Sequence, residues 1–197
     1  MLPRFAFLVA LAATPALSDC PTAADLAGPG VEVRFADDYL ATYRKTKPNT
    51  VTEVHGMEGM VDFQVDSYRG LLVIKEVLPD GTNGGDSYFT YDPPLHRLPE
   101  IAPGVTFETL NIVTDSYGSE TDRSTVRIEA GEAGTLTLGS CTYESIDVDI
   151  AFIRPGDVYT ARMAYLTELG IVVQLGGGPQ GGLMDVFTPA AIGVAGK

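Results

Sequence analysis

Ser145-Ile146-Asp147-Val148-Asp149-Ile150-Ala151-Phe152 is the stretch whose reading decides the fold. Apolar and acidic or small residues alternate with a period of two. This places Ile146, Val148, Ile150 and Phe152 on one face of an extended strand and Asp147 and Asp149 on the other. Arg154-Pro155-Gly156-Asp157 follows. Pro pre-sets φ at the second position of a turn, and Gly supplies a positive φ at the third. The chain returns over Val158 to Leu166, with Tyr159, Ala161, Met163 and Tyr165 on one side. The pattern is that of a β-hairpin with one dry face and one wet face.

Working outward, the same extended character holds over most of the chain, and sustained 3.6-residue periodicity is nearly absent from Val31 onward. Strands are expected at Val31–Phe35, at Tyr39–Tyr43, at Val51–His55 and at Val61–Val65. Leu71-Leu72-Val73-Ile74 is apolar on both faces and fits a strand covered on both sides or a buried helical segment, and Gly70 before it and Pro79-Asp80-Gly81 after it favour the strand. Turns are expected at Asp37-Asp38, from Thr46 to Thr50, at Gly56 and Gly59, and from Pro79-Asp80-Gly81 to Asn83-Gly84-Gly85-Asp86. Ser87–Tyr91 is the next extended piece. Asp92-Pro93-Pro94 through Pro103-Gly104 is rich in proline, which cannot donate to a sheet ladder, so it reads as a connector. In Val105–Thr114 the parity of Phe107 opposes that of Leu110 and Ile112, and a bulge near Thr109 is the expected remedy. Thr125–Glu129 and Thr135–Leu138 are expected as separate strands around a Gly131–Gly134 turn. Ile171-Val172-Val173 is a further strand, Gly176–Gly182 a flexible loop, Val186-Phe187 a closing strand and Pro189–Lys197 a loose tail. Arg69-Gly70-Leu71-Leu72-Val73-Ile74 is faintly echoed by Leu169-Gly170-Ile171-Val172-Val173-Gln174. The fold class is therefore all-β: an antiparallel meander forming a strongly curved sheet, half-barrel or sandwich.

Residues 1–18 carry the marks of a secretory signal: basic Arg4, the apolar run Phe5–Ala13, Pro15, and small residues in Ala16-Leu17-Ser18. Cleavage is expected before Asp19. The run falls short of the ~20 residues that cross a bilayer, and no later stretch is long and apolar enough for a transmembrane helix. Leu17-Ser18-Asp19-Cys20 superficially resembles a lipid-attachment box, but Asp19 stands where a small residue is usual. Cys20 and Cys141 are the two cysteines of the chain. In an exported protein they are expected to pair with each other. Residues 19–197 then form a single exported β-domain, with about 31–92 and about 104–188 as its two halves if the proline-rich connector divides it. The expected location is periplasmic or secreted, in a bacterium.

The formal charge is −13 over the full sequence. Loss of Arg4 leaves 12 basic against 26 acidic side chains, or −14. Such a surface repels phosphate backbones, which argues against nucleic acid as a partner. Anionic membrane surfaces are disfavoured for the same reason. The unknown partner is expected to be a ligand or an envelope protein.

The second half resembles a group of bacterial envelope proteins of unknown function related to the TapB-like lipoproteins. The likeness rests on Leu98-Pro99-Glu100-Ile101-Ala102-Pro103-Gly104-Val105-Thr106-Phe107, on Leu138-Gly139-Ser140-Cys141-Thr142-Tyr143, and on Tyr165-Leu166-Thr167-Glu168-Leu169-Gly170-Ile171. Phe107 stands where that group has tryptophan, and Thr167 where it has proline. The resemblance implies a curved antiparallel structure and an envelope location, and it carries over no catalytic residue.

No catalytic set stands out. Nucleophilic hydrolysis needs a Ser or Cys beside a His with an orienting acid, but His55 and His96 are the only histidines. Neither adjoins a nucleophile elbow, and both read as surface or satisfied residues. Two histidines are too few for a zinc site once the cysteines pair. Calcium would draw on Asp37-Asp38, Asp115, Asp147 or Asp149, but no Asp-x-Asp-x-Asp-Gly loop is present. The glycines of 176–182 lack the Lys-Ser/Thr of a phosphate cradle. No cofactor is indicated. Tyr39, Tyr43, Tyr159 and Tyr165 are the candidate pocket residues, with ordinary sheet core as the alternative. The leading expectation is a non-enzymatic binding or accessory module of the envelope. A carboxylate hydrolase using Asp147 and Asp149, or a structural envelope component, is the alternative.

Overall fold

The computed structural model describes residues 20–79 and 85–196. The expected signal segment 1–18 and the tip of the turn at 80–84 lie outside the described residues. After a short helix α1 (Ala23–Ala27), the chain forms strands β1 (Val31–Phe35), β2 (Leu40–Lys47), β3 (Thr50–Met57), β4 (Met60–Tyr68), β5 (Leu72–Val77) and β6 (Ser87–Asp92). A 3-10 turn (Leu95–Arg97) leads to β7 (Thr106–Thr114), β8 (Glu120–Leu138), β9 (Cys141–Arg154), β10 (Asp157–Leu166), β11 (Ile171–Pro179), β12 (Asp185–Val186) and β13 (Pro189–Val194). All pair antiparallel in one sheet of order β12-β11-β10-β9-β8-β7-β6-β5-β4-β3-β2-β1-β13. The fold is all-β, a single curved meander.

The β9–β10 hairpin shows why the sheet curls. Ile146, Val148, Ile150 and Phe152 stand opposite Tyr165, Met163, Ala161 and Tyr159, and Gly156 takes φ 79° in the turn. Asp147 and Asp149 face outward and are exposed. Following the register from strand to strand, the same inner face carries Val126 and Ile128 on β8, Val73 on β5, Val65 and Phe63 on β4, Glu53 and His55 on β3, and Tyr43 on β2. Strands far apart in the ladder then meet. Met163, Val172 and Gln174 enclose a void together with Tyr43, Glu53, Phe63 and Val73, so this face is concave.

The roll continues past one turn. Inner-face residues of β1–β3 (Val31, Val33, Ala41, Tyr43 and Val51) pack in one core with Tyr143, Leu166, Ile171 and Val173, which point to the outer face of β9–β11. Val172, between Ile171 and Val173, belongs to the other core with Ile128, Ile146, Val148 and Ile150. Strand β11 is thus covered on both faces, which is what its unbroken Ile171-Val172-Val173 run requires. Each of these fully buried aliphatic side chains contributes about 1.5–3 kcal/mol relative to exposure. Leu71 and Leu72 are buried, whereas Val73 and Ile74 are half-buried, so full two-sided cover in the second apolar run stops at Leu72.

A bulge lets one strand serve both cores. Between Ala130 and Ala133 the register on β8 slips, and Gly131 and Glu132 stand opposite Asp147 alone. Before the bulge Val126, Ile128 and Ala130 face inward; after it Leu138 faces the outer core, with Leu136 packed against it. The glycines at 131 and 134 therefore mark an inversion of parity inside one 19-residue strand, correcting the expected turn between two strands. In β7 the register shift lies between Val113 and Thr114, and Thr109 needs none. Its inner face carries Phe107, Thr109, Asn111 and Val113. Thr109 and Asn111 are buried polar residues, and this is what masked the alternation.

Two further expectations are corrected near the C-terminus. Gly176, Gly177 and Gly178 are strand residues of β11, and the turn is confined to residues 180–182. A Cβ at Gly176 would stand 2.6 Å from the Asp185 carbonyl oxygen, and one at Gly178 2.5 Å from that of Leu183. The missing side chains admit a neighbouring backbone. Pro189–Val194, expected as a loose tail, is a strand paired with β1. The chain from 185 to 194 is thus a splice: β12 pairs with β11, and β13 pairs with β1. The Phe187 N–H donates to the Leu175 carbonyl (3.0 Å), and the Ala36 N–H donates to the Thr188 carbonyl (2.9 Å). The ladder itself does not close. The proline-rich connector joins β6 to β7, which are neighbours in the same sheet, and tucks Leu98 into the inner core.

Cys20 and Cys141 form a disulfide. It holds α1 and its buried Leu26 on the outer core, where the Tyr143 hydroxyl donates to the Pro21 carbonyl (2.9 Å). Burial pushes the phenols of Tyr43 and Tyr91 above the ordinary value of 10.0. Burial, aided by Glu168 and Asp25, pushes that of Tyr143 up to about 12. The folded chain holds these protons more tightly than the unfolded chain does. The stability that Tyr143 contributes is complete below pH 10 and is lost as pH rises through about 12. In an alkaline titration, the phenolate absorbance of these residues is expected to appear together with loss of the β circular-dichroism signal. Their ionisation near pH 10 in a still-folded chain would contradict the burial described here.

Candidate functional site

At the splice, the roll leaves a cavity of about 320 Å³ lined by Phe35, Asp37, Tyr39, Tyr43, His55, Phe63, Gln174 and Phe187. The position of each residue follows from local sequence. Phe35 ends β1, and Asp37 and Tyr39 belong to the turn that opens β2, where Asp38 has φ 63°. Tyr43 stands opposite Glu53 across β2–β3, and His55 stands opposite Phe63 across β3–β4. Directly opposed side chains touch across a pair of strands. The His55 and Phe63 rings accordingly stack with centroids 4.5 Å apart and planes 13° apart. The rings of Tyr39 and Tyr43 lie 6.3 Å and 6.5 Å from the imidazole. Gln174 comes from β11, and Phe187 from the link between β12 and β13.

Behind this cavity a smaller void of about 140 Å³ shares Tyr43, His55, Phe63 and Gln174 and adds Glu53, Val65 and Met163. Glu53 is 6% exposed. Its carboxylate accepts a hydrogen bond from the Ser67 hydroxyl (2.6 Å) and lies 3.4 Å from His55 Nε2. Ser67 also reaches the Val51 carbonyl (3.2 Å). The serine hydroxyl is directed at the carboxylate, and the imidazole at the other carboxylate oxygen, so this trio lacks the serine-to-imidazole contact that activates a nucleophile. Burial raises the Tyr39 phenol above its ordinary value, helped by the negative charges of Asp62 and Asp37.

Of the four tyrosines singled out from sequence, the fold brings Tyr39 and Tyr43 together at this cavity. Tyr159 packs near Phe152, with ring centroids 6.5 Å apart, and covers Gly177. Tyr165 lies across the sheet beside Arg69, Glu100 and Gly170, in a more open depression of about 340 Å³. There Arg69 and Glu100 are 3.4 Å apart and offset each other's charge. His96 is exposed on the 3-10 turn. Asp147 and Asp149 project to the outer surface, where Asp149 lies 3.8 Å from Arg162 and, with Glu129 opposite it and Arg127 beside them, lines an open depression of about 430 Å³. The Asp115 carboxylate accepts the backbone N–H groups of Tyr117 and Ser119 (2.9 Å each), the arrangement of a turn. Among the described residues no group of three or more His, Cys, Asp or Glu side chains is arranged to hold a metal ion.

Phe35, Glu53, His55, Phe63, Gln174 and Phe187 were not legible as a set. One signal was available: in Val51-Thr52-Glu53-Val54-His55 the odd positions share a face, so Glu53 and His55 go wherever Val51 is buried. The remainder depends on which strands the roll brings together. No family model matches the chain, and no curated protein or solved structure matches it either. Fold and site together define an all-β protein with a rolled meander sheet, one disulfide and an aromatic cavity at the splice. No helix among its described residues is long and apolar enough to cross a membrane.

Proposed function

We propose that this is an exported binding protein of the bacterial cell envelope that holds a small molecule in the aromatic cavity at the splice of its sheet. The observation that carries the reading is the cavity itself. Its walls are mostly aromatic, and a few polar groups (Asp37, His55, Gln174) are placed among them, as in ligand sites at the small end of the usual size range. The disulfide supports an oxidising compartment. The signal-like residues 1–18 support export, with Asp19 as the first residue of the mature chain. The likeness of the second half to envelope proteins related to the TapB-like lipoproteins supports the same location.

Two measurements test this. Intact-mass analysis of the protein recovered from the envelope fraction is expected to show a chain beginning at Asp19 and lacking two hydrogens. A retained N-terminus or two free thiols would count against export. Native mass spectrometry of the same preparation is expected to show a non-covalent small-molecule adduct that is lost on unfolding. The adduct should also be lost in Phe63→Ala, which removes the ring stacked on His55. An adduct indifferent to that substitution would place binding elsewhere.

A further inference from the structure

We infer that the cavity at the splice selects a small organic cation, an ammonium group carried on an apolar body. This rests on the binding-site reading above and names the ligand class of that same cavity. Rings line it on several sides: Phe35, Tyr39, Tyr43, Phe63 and Phe187. Aromatic faces carry negative potential and attract cations within about 6 Å of the ring centroid. The charged side chains point the same way. Asp37 is in the wall, and Glu53 faces the adjoining void. Among the described residues no Lys or Arg lines either space.

Glu53 is the independent observation. A buried carboxylate is costly unless it is paired and hydrogen-bonded. The neighbours of Glu53 are one hydroxyl, Ser67, and one imidazole, His55, at 3.4 Å. An Arg or Lys of this chain offsets the carboxylate at each of the surface pairs Asp122–Arg154, Glu108–Arg127 and Asp86–Lys75. At Glu53 no Arg or Lys among the described residues does, and the void it faces adjoins the cavity in which a ligand's positive charge would stand. Burial, aided by the negative charges of Asp62 and Asp37, raises the Tyr39 phenol in the wall of the same cavity. An anionic ligand would meet the Asp37 carboxylate in the wall and that of Glu53 across the adjoining void, whereas a cation would be attracted by both.

The test uses the mature, disulfide-bonded protein and isothermal titration calorimetry with tetramethylammonium, choline and benzyltrimethylammonium. Each is compared with its neutral carbon isostere, which for choline is dimethylbutanol. The expected result is binding of at least one cation with a preference of about tenfold or more over its isostere. Asp37→Asn alters an exposed turn residue and is expected to reduce that preference without loss of fold. Glu53→Gln is expected to reduce it further. Equal binding of cation and isostere would overturn the cation inference while leaving the binding-site reading intact. Binding of neither, by the wild-type protein at millimolar concentration, would overturn the cation inference, and the binding-site reading would then fall only if native mass spectrometry also shows no adduct. A preference unmoved by Asp37→Asn and Glu53→Gln alike would show that these carboxylates do not select the ligand, and that too would overturn the inference.

Discussion

Cys141→Ser is expected to lower stability by up to about 5 kcal/mol, because the disulfide it removes spans 121 residues of sequence. Loop-closure entropy grows with the logarithm of the loop, so a link this long constrains the unfolded chain more than a local one would. For a domain of this size, the corresponding fall in midpoint temperature is about 10–20 °C. The effect has a local side as well. Without the link, the segment around α1 keeps the burial of Leu26, the Tyr143-to-Pro21 hydrogen bond and the hydrogen bond from the Arg44 guanidinium to the Pro29 carbonyl (2.7 Å). Residues 20–30 should then exchange their amide hydrogens by local opening, ahead of the sheet. Thermal unfolding and hydrogen exchange of Cys141→Ser and Cys20→Ser measure both effects. A loss under about 1 kcal/mol would mean that the unfolded chain is already compact enough to make the link redundant. Tyr143→Phe, which removes a single hydrogen bond at the same place, is expected to cost about 1 kcal/mol.

Gly70→Val is the second large effect, expected to cost about 3 kcal/mol or more. Gly70 has φ +66°, a conformation that β-branched residues resist. A Cβ there would also stand 2.7 Å from the Gly170 carbonyl oxygen and 2.9 Å from the Ile171 Cα, both backbone atoms that cannot swing aside. The two turns with echoing sequence, Arg69-Gly70-Leu71 and Leu169-Gly170-Ile171, therefore touch each other in the folded protein. This contact brings the β4–β5 corner onto the β10–β11 corner and helps set how tightly the sheet rolls. Gly118→Ala is the control. Its φ is +83° with nothing within 4 Å of the added atom, so it carries the conformational cost alone, about 1–2 kcal/mol. Equal losses in Gly70→Ala and Gly118→Ala, read by denaturant unfolding, would show that the corner contact yields without strain.

Alternation over Ile146–Phe152, the Pro155-Gly156 turn and the pair of cysteines were enough to establish an antiparallel, disulfide-linked β-protein from sequence. Side-chain parity is a local property, and turns are set by a few φ values, so both are legible one segment at a time. What escaped lay where parity breaks or where the strand signature is absent. The bulge at Gly131-Glu132 looked like a turn, because glycine marks both. Gly176–Gly178 looked like a loop, because the reason for lacking side chains there is a second backbone passing close by. Pro189–Val194 looked like a tail, because its alanines and glycine carry no β preference, while its pairing partner lies more than 150 residues away on β1.

The sequence by itself determined the all-β class, the centres of most strands, which face of the central hairpin is wet, and the bond between Cys20 and Cys141. Tertiary structure alone decided that the sheet rolls past itself, so that β1–β3 cover the outer face of β9–β11, and that Tyr43, Glu53, His55, Phe63, Gln174 and Phe187 surround one cavity. The physical reason is that twist and curvature accumulate over thirteen strands. Which distant faces meet depends on that sum, set by bulges and glycine contacts along the whole ladder, and no single stretch of chain encodes it.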